Sequence, residues 1–228
     1  MPISPRPKLL VFDLDGTLID SRLDLAHSVN NILASLGRDK LPVETVLSYV
    51  GDGAEDLIRR SLMATGVSPE EAASMLPGLM PLFLDDYYQN CLVHTVPYPG
   101  VIPMLERFSD RKKAVLTNKP EAHTMKVLEG LGLTRYFDAI VGGDGPRGKK
   151  PSPEGFRYIL SSLNTSPEEA WMIGDGMQDL RVSRKVGCIF VAFLGGIGDA
   201  KALEAAGPDH AIRRIEELPA VLGAEAKV

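Results

Sequence analysis

Two aspartates one residue apart, Asp13 and Asp15, directly follow an apolar segment, 9–12, that has the length of a buried strand. Side chains at positions i and i+2 of an extended chain point to the same side, so both carboxylates should project beyond the carboxyl end of that strand. Carboxylates this close repel each other unless a proton or a cation lies between them. The pair therefore predicts a proton or a metal site, although Asp15-Gly16 taken alone is equally typical of a turn.

Three later loops carry polar groups that can complete such a site. Thr117 and Asn118 end one predicted strand, and Asp175 and Asp179 follow another. Lys149 and Lys150 lie in a loop between them, and one of these two lysines should face solvent; Lys150 is chosen for the site because it precedes Pro151. The carboxyl ends of parallel strands share one edge of a sheet, so these groups should meet there. Carboxylates without histidine or cysteine favour Mg²⁺ over Zn²⁺. Mg²⁺ beside a lysine is a common way to hold a phosphoryl group.

The region between about residues 20 and 96 predicts helices and no strand. Apolar residues recur there at helical spacing. Ser68 is the natural N-cap of a helix that begins at Pro69. Pro77 and Pro81 should break this helix before a further helix begins at Leu82. The region is therefore predicted to be an inserted helical bundle.

From residue 97 onward the sequence predicts strands that alternate with helices. The segment 96–100 contains two prolines and a glycine, which predict a linker without regular structure. Strands are expected at 113–117, 139–142, 170–174 and 188–193, with a short one near Ala211. The alternation indicates right-handed crossovers and a mostly parallel sheet, so the predicted fold class is α/β.

Composition limits the classes of partner. The chain has 228 residues, a net charge of −5 and a pI near 5.4, so it lacks the basic excess that a nucleic-acid partner requires. Cys91 and Cys188 are too few and too distant for a disulfide framework or a zinc site. The first apolar run is too short for a signal peptide or a membrane span. We therefore expect a cytoplasmic protein with a small-molecule partner and no membrane partner.

Four motifs, in this order, resemble those of the haloacid dehalogenase (HAD) superfamily. They are Asp13-Leu14-Asp15-Gly16-Thr17, Thr117, Lys150-Pro151 and Gly174-Asp175-Gly176-x-x-Asp179. The resemblance implies a Rossmann-like core with a mostly parallel sheet, formed by residues 1–19 and 97–228. It also implies a small helical C1 cap domain, residues 20–96, inserted after the first motif.

Four further segments, which are less specific than these motifs, resemble segments of the phosphoglycolate phosphatase branch of that superfamily. They are Tyr49-Val50-Gly51-Asp52-Gly53-Ala54, Leu57-Ile58-Arg59-Arg60, Tyr98-Pro99-Gly100-Val101 and Leu116-Thr117-Asn118-Lys119. They imply hydrolysis of a small phosphate monoester, with 2-phosphoglycolate as the expected substrate. Pyrophosphate or a sugar phosphate remains open within this class, and a non-catalytic phospholigand-binding protein is the alternative from another class. The oligomeric state, monomer or homodimer, stays open as well.

The resemblance also implies a role for each motif residue. Asp13 would be the nucleophile, and Asp15 would be the general acid and base. Lys150 would offset the charge of the nucleophile and of the phosphate. Thr117, with the Asn118 amide, would bind phosphoryl oxygens.

The same resemblance places a Mg²⁺ ion at the first and last motifs. Asp13 and Asp175 would bind it through their carboxylates, Asp15 through its backbone carbonyl, and Asp179 as an indirect or occasional ligand. In the cap, Gly51 and Arg59 are assigned to the substrate. Asp52, where the branch often has asparagine, is a departure: it disfavours a carboxylated substrate unless an arginine, Arg22, Arg59 or Arg60, offsets its charge.

Overall fold

A six-stranded parallel sheet forms the centre of the structure, a computed structural model that describes residues 6–223. The strands are β1 (Leu9–Phe12), β2 (Ile19–Asp20), β3 (Val96–Pro97), β4 (Lys112–Leu116), β5 (Ala139–Val141), β6 (Ala170–Gly174), β7 (Ile189–Phe193) and β8 (His210–Ile212). The sheet has the order β5-β4-β1-β6-β7-β8, and every pairing in it is parallel. The predicted α/β class with a mostly parallel sheet is confirmed.

Helices cover both faces of the sheet. They are α1 (Arg22–Ser35), α2 (Val43–Leu47), α3 (Ala54–Ala64), α4 (Pro69–Asn90), α5 (Val101–Arg107), α6 (Glu121–Gly130), α7 (Glu154–Ser162), α8 (Met177–Val186), α9 (Ala200–Ala205) and α10 (Leu218–Val221). Side chains of β1 alternate between two buried clusters: Leu10 and Phe12 pack in one with α5 and α6, and Leu9 and Val11 pack in the other with α7 and α8. This burial on both faces explains why β1 is apolar throughout.

The long helix α4 differs from the prediction. It begins as expected, because Ser68 Oγ accepts a hydrogen bond from the backbone N–H of Glu71 in the first turn (3.2 Å). It does not break at Pro77 or Pro81, however, and both prolines lie inside it. Each interior proline removes one helical hydrogen bond. The burial of side chains such as Leu79 and Phe83 along this helix favours its continuation, an example of packing that overrides local propensity.

A two-residue antiparallel ladder joins β2 to β3, where the sequence predicted no regular structure. Ile19 pairs with Pro97, and Asp20 pairs with Val96. Helices α1 to α4 lie between these two strands in the chain. The division into a core (1–19 and 97–228) and a helical cap (20–96) stays a prediction, and this ladder lies at both of its boundaries.

Asp24, in the first turn of α1, ties the start of the helical segment to its end. Its carboxylate is 1% exposed and accepts hydrogen bonds from the backbone N–H groups of His94 (3.0 Å) and Thr95 (2.9 Å) and from the Thr95 hydroxyl (2.7 Å). A buried carboxylate with several donors of this kind is stable only while those donors remain in place. Asp24 therefore fixes where the chain returns to the sheet.

Replacing Asp24 with alanine should destabilise the protein. The substitution Asp24→Ala leaves the N–H group of residue 94 and the buried N–H and hydroxyl groups of residue 95 without an acceptor, so we expect the free energy of unfolding to fall by about 3 kcal/mol. Urea denaturation followed by circular dichroism measures this. Asp85→Ala, at an exposed position on α4, is the matched control and should change stability by less than about 0.5 kcal/mol. Equal unfolding midpoints for the two variants would contradict the assignment.

Candidate active site

The carboxyl edge of the sheet brings together the groups that the sequence singles out. Asp13 follows β1, Thr117 follows β4 and Asp175 follows β6, and these three strands are neighbours at the centre of the sheet. Lys150 reaches the same place from the loop before α7, where it is buried. The crevice at the carboxyl end of a central strand is where such sheets bind ligands.

Three carboxylates form an acidic cluster, which we define as Asp13, Asp175 and Asp179. Each contributes an oxygen, and these oxygens all lie within 4.8 Å of one another. Burial raises the pKa of both Asp175 and Asp179, and the charge of Asp13 raises them further, although Lys150 opposes this at Asp179. A set of oxygen donors alone, at this spacing, fits a hard cation such as Mg²⁺. The acidic cluster is therefore a candidate metal centre.

Asp175 is held in place by donors from two loops. Its Oδ1 accepts a hydrogen bond from the Thr17 hydroxyl (2.9 Å), and its Oδ2 accepts from the backbone N–H groups of Ile197 (2.8 Å) and Gly198 (2.9 Å). The chain passes so close that a Cβ on Gly16, whose φ is +86°, would lie 2.1 Å from Oδ2. The glycine-rich segment 195–198 went unrecognised in the sequence, although three glycines in four residues after a strand were a visible signal.

Lys150 is the positive charge of the cluster. Its Nζ lies 2.8 Å from Asp13 Oδ1 and 2.6 Å from Asp179 Oδ1. Burial alone would lower the pKa of Lys150, but the two carboxylates outweigh this effect and raise it. Its neighbour Lys149 is exposed. Lys150 therefore remains charged and compensates two of the three carboxylates.

Asp13 keeps one carboxylate oxygen available for chemistry. Its Oδ1 receives both Lys150 and the backbone N–H of Leu14 (2.7 Å). Among residues 6–223, no hydrogen-bond donor contacts Oδ2. The carboxylate is thus oriented through one oxygen, while the other can approach a ligand.

Asp15 has different partners from those of Asp13. Its carboxylate accepts a hydrogen bond from the Ser21 hydroxyl (2.6 Å), and Lys119 Nζ lies 2.9 and 3.1 Å from its two oxygens. Lys119 also donates to the hydroxyl of Tyr87 on α4 (2.5 Å). Sequence reasoning assigned no role to Ser21, Tyr87 or Lys119. Of these three, only Lys119 could have been found from the sequence, because it ends the segment Leu116-Thr117-Asn118-Lys119 that resembles the phosphoglycolate phosphatase branch.

Asn118 and Thr117 organise the loop after β4. The Asn118 side chain accepts a hydrogen bond from the backbone N–H of Lys150 (2.7 Å) and donates to the backbone carbonyls of Lys150 (3.1 Å) and Gly51 (3.0 Å). Its carboxamide is thus used to join the Lys150 loop to the helical segment. The Thr117 hydroxyl accepts from the N–H of Lys119 (3.2 Å) and lines a cavity beside Asp13. The Thr117 hydroxyl proton remains able to donate.

Two residues of the helical segment, Gly51 and Arg59, were expected to contact the substrate, and only one of them lies beside the cavities. Gly51 lines both cavities beside Asp13, whereas Arg59 lines neither and lies against Asp56 on its own helix. Arg60, one position later, does line the larger cavity. Asp52 accepts a hydrogen bond from the Gln178 side chain across the crevice. The structure therefore brings Gly51 into the site and leaves Arg59 outside it.

Two cavities meet at Asp13 and Asp15. The polar cavity, about 270 Å³, is lined by the acidic cluster together with Lys150 and Arg60. The small cavity, about 70 Å³, lies towards the helical segment, and its lining combines apolar side chains such as Leu57 and Phe83 with polar groups at Tyr87, Thr117 and Lys119. The polar cavity can hold a cation and an oxyanion, and the small cavity can hold an organic group of a few atoms.

Within residues 6–223, the structure contains no helix with the length and hydropathy of a membrane-crossing segment.

Comparison with known proteins places the chain among hydrolases. The family model for haloacid dehalogenase-like hydrolases matches residues 10–193. The chain is 37% identical to a phosphoglycolate phosphatase of Nitrosospira multiformis over 182 residues, which cover 79% of this chain and 80% of that protein. It is 33% identical to phosphoglycolate phosphatase 1 of Pseudomonas aeruginosa over 218 residues, which cover 93% of this chain and 78% of that protein.

Solved structures agree with these relatives. The crystal structure of a predicted phosphoglycolate phosphatase from Haemophilus somnus 129PT superposes with a TM-score of 0.86 at 26% identity, covering 95% of this chain and 98% of that one. A putative phosphoglycolate phosphatase from Lactobacillus delbrueckii subsp. bulgaricus shares the fold, with a TM-score of 0.86 at 24% identity over 96% of this chain and 99% of that one. The chain therefore belongs to the haloacid dehalogenase-like hydrolase family, in its phosphoglycolate phosphatase-like branch.

Proposed function

We propose that this hydrolase is a Mg²⁺-dependent phosphatase that cleaves 2-phosphoglycolate through an aspartyl-phosphate on Asp13. The observation that carries the proposal is the placement of Asp13 and Asp15 at the junction of the two cavities. A phosphoryl group in the polar cavity would face Asp13 Oδ2, and the leaving group in the small cavity would face Asp15. The two carboxylates can then act on opposite ends of one P–O bond.

In the first half of the reaction, Asp13 Oδ2 attacks phosphorus and the bond between phosphorus and the leaving-group oxygen breaks. Asp15, in its protonated form, donates its proton to that oxygen, so the alcohol leaves neutral. The product on the enzyme is a phosphate joined to Asp13. Asp13 suits this role because Lys150 and the Leu14 N–H fix its other oxygen.

In the second half, a water molecule attacks the phosphorus of the aspartyl-phosphate. Asp15, now ionised, removes the proton from that water, and the bond from phosphorus to Asp13 breaks to release inorganic phosphate. Asp15 can serve both half-reactions, because it loses a proton in the first and regains one in the second. The hydrogen bond from Ser21 fixes the orientation of Asp15 for both transfers.

The remaining residues handle negative charge. Lys150 and the Thr117 hydroxyl would contact phosphoryl oxygens, and Asn118 holds the Lys150 backbone in place for this contact. Asp13 and Asp175, with the backbone carbonyl of Asp15, would hold Mg²⁺, and Asp179 is a further candidate ligand. When bound, Mg²⁺ supplies positive charge that stabilises the phosphoryl oxygens as the P–O bond breaks.

Two observations support 2-phosphoglycolate over larger esters. The small cavity, about 70 Å³, suits a leaving group of a few heavy atoms better than a sugar. Relatives at 33–37% identity carry the name phosphoglycolate phosphatase. Closure of the helical segment over the ester would exclude bulk water from the leaving group.

A panel of phosphate compounds tests the proposed substrate. We expect kcat/KM for 2-phosphoglycolate to exceed that for glucose 6-phosphate by about 100-fold or more, because a two-carbon leaving group matches the small cavity beside Asp15 better than a sugar does. Pyrophosphate should be the poorer substrate as well. Release of inorganic phosphate in the presence of Mg²⁺ measures all three. Equal or higher efficiency for the sugar phosphate or for pyrophosphate would contradict the assignment, and no hydrolysis of any ester would favour a phospholigand-binding protein.

Replacing the nucleophile should abolish turnover. Asp13→Asn removes the attacking oxyanion, so we expect kcat to fall by about 10⁴-fold or more while the protein stays folded. Phosphate release gives the rate, and circular dichroism gives the fold. Asp85→Asn, at an exposed site, is the control and should match the unsubstituted enzyme. Turnover by Asp13→Asn within tenfold of the unsubstituted protein would rule out the covalent route.

Metal binding can be measured without activity. Isothermal titration calorimetry should show Mg²⁺ binding that weakens by at least about tenfold in Asp175→Asn, because one of the charged ligands is lost. Asp199→Asn is a matched control: Asp199 lines the same polar cavity but lies outside the acidic cluster, and asparagine also caps helices well. The cluster is excluded as the metal centre if the two variants bind Mg²⁺ equally well.

A further inference from the structure

Lys119 is a buried ammonium that the mechanism above does not use. The residue is 6% exposed, and it contacts both carboxylate oxygens of Asp15 and the hydroxyl of Tyr87. It lines the small cavity, on the side where the leaving group would lie. Burying a lysine costs free energy unless partners compensate it, so its presence here requires an explanation.

The ammonium is fully paired in this environment. Its Nζ lies 2.9 and 3.1 Å from the two Asp15 oxygens and 2.5 Å from the Tyr87 hydroxyl. Of the described residues that line the small cavity, Lys119 is the only one with a positive charge. A negatively charged group that entered this cavity would have one cation to bind.

Tyr87 adds a second donor beside this ammonium. Its hydroxyl oxygen accepts from Lys119, so its own hydrogen remains to be donated. The ring is fixed between Phe83, at a centroid distance of 5.9 Å, and His123, at 5.7 Å, and both pairs are stacked. Because Tyr87 comes from α4 and Lys119 from the loop after β4, the two donors are placed together by contact between the helical segment and the sheet.

The three arginines that could offset the charge of Asp52 each pair with another carboxylate. Arg22 pairs with Asp20 at 2.6 Å, and Arg59 and Arg60 both pair with Asp56. None of these three arginines lines the small cavity. The charge that a carboxylated leaving group would need is therefore available from Lys119 and not from them.

We propose that the Lys119 ammonium and the Tyr87 hydroxyl form the subsite that binds the carboxylate of the leaving group. The inference rests on the proposed phosphatase function and names the chemistry that selects the substrate: a phosphate ester whose alcohol carries a carboxylate one carbon away. The ammonium has three hydrogens, and exchanging one Asp15 contact for the substrate carboxylate keeps it fully bonded. The same cation then neutralises the incoming carboxylate beside Asp15.

The unsubstituted enzyme gives the first test, with two esters of similar size. These are 2-phosphoglycolate and 2-hydroxyethyl phosphate, in which a neutral CH₂OH replaces the carboxylate. Pairing of buried charges predicts a kcat/KM ratio of about 100 in favour of 2-phosphoglycolate. A ratio near one would overturn the subsite whatever the variants do. Absence of any hydrolysis of 2-phosphoglycolate would instead refute the proposed function, and the subsite with it.

Variants then assign the preference to residues. Lys119→Gln should lower the ratio to below about 10, because the carboxylate loses its counter-charge while the neutral ester does not. Lys126→Gln is the matched control: this lysine is on α6, contacts Tyr88 of α4 and does not line the small cavity, so the ratio should stay unchanged. The ratio, and not the rate alone, is the measurement, since any general damage to Asp15 slows both esters.

A milder variant covers the case in which Lys119→Gln fails to fold. Tyr87→Phe keeps the ring between Phe83 and His123 and removes only the hydroxyl, so the ratio should fall by roughly tenfold. Hydrolysis of 2-phosphoglycolate with an undiminished ratio in both Lys119→Gln and Tyr87→Phe would overturn the subsite and leave the proposed function standing.

Discussion

The compensation of crowded carboxylates at one edge of the sheet is the constraint on which the rest of the structure depends. Asp13, Asp175 and Asp179 bring their oxygens within 4.8 Å of one another at largely buried positions. Removing each charge from water costs several kcal/mol before any pairing. Lys150 offsets part of this cost, and the backbone N–H groups of Ile197 and Gly198 offset a further part. The cost that remains is what a divalent cation would relieve, so the fold maintains a site that favours metal binding.

A second centre of compensation distinguishes Asp15 from Asp13. Asp13 shares Lys150 with the acidic cluster, whereas Asp15 is bonded to Ser21 and Lys119 on the side of the small cavity. Two residues that look equivalent in the sequence thus lie in different electrostatic surroundings. This difference fits the separate tasks proposed for them, in which Asp13 would face the phosphoryl group and Asp15 the oxygen that leaves.

The sequence predicts the polar residues at the ends of the strands but not most of the residues that contact them. Asp13, Thr117 and Asp175 could be predicted because each follows an apolar run, and parallel strands place such residues on one edge. Tyr87 could not, because its contact with Lys119 joins α4 to a loop 32 residues away, and no local pattern encodes that distance. The continuity of α4 through Pro77 was missed for a related reason, since burial against other helices decides it.

The two consecutive residues after Thr117 connect the edge of the sheet to the helical segment. Asn118 bonds the Lys150 backbone and the Gly51 carbonyl, so it joins the charge-compensating loop to the helical segment. Lys119 bonds Asp15 and Tyr87, so it joins the proposed general acid and base to the same segment. A shift of the helical segment would therefore disturb Asp13, through the Lys150 loop, and Asp15, through Lys119, at the same time. It follows that the position of Asp15 and the shape of the small cavity depend on the same contacts, so a substitution that reshapes the cavity also changes the surroundings of Asp15.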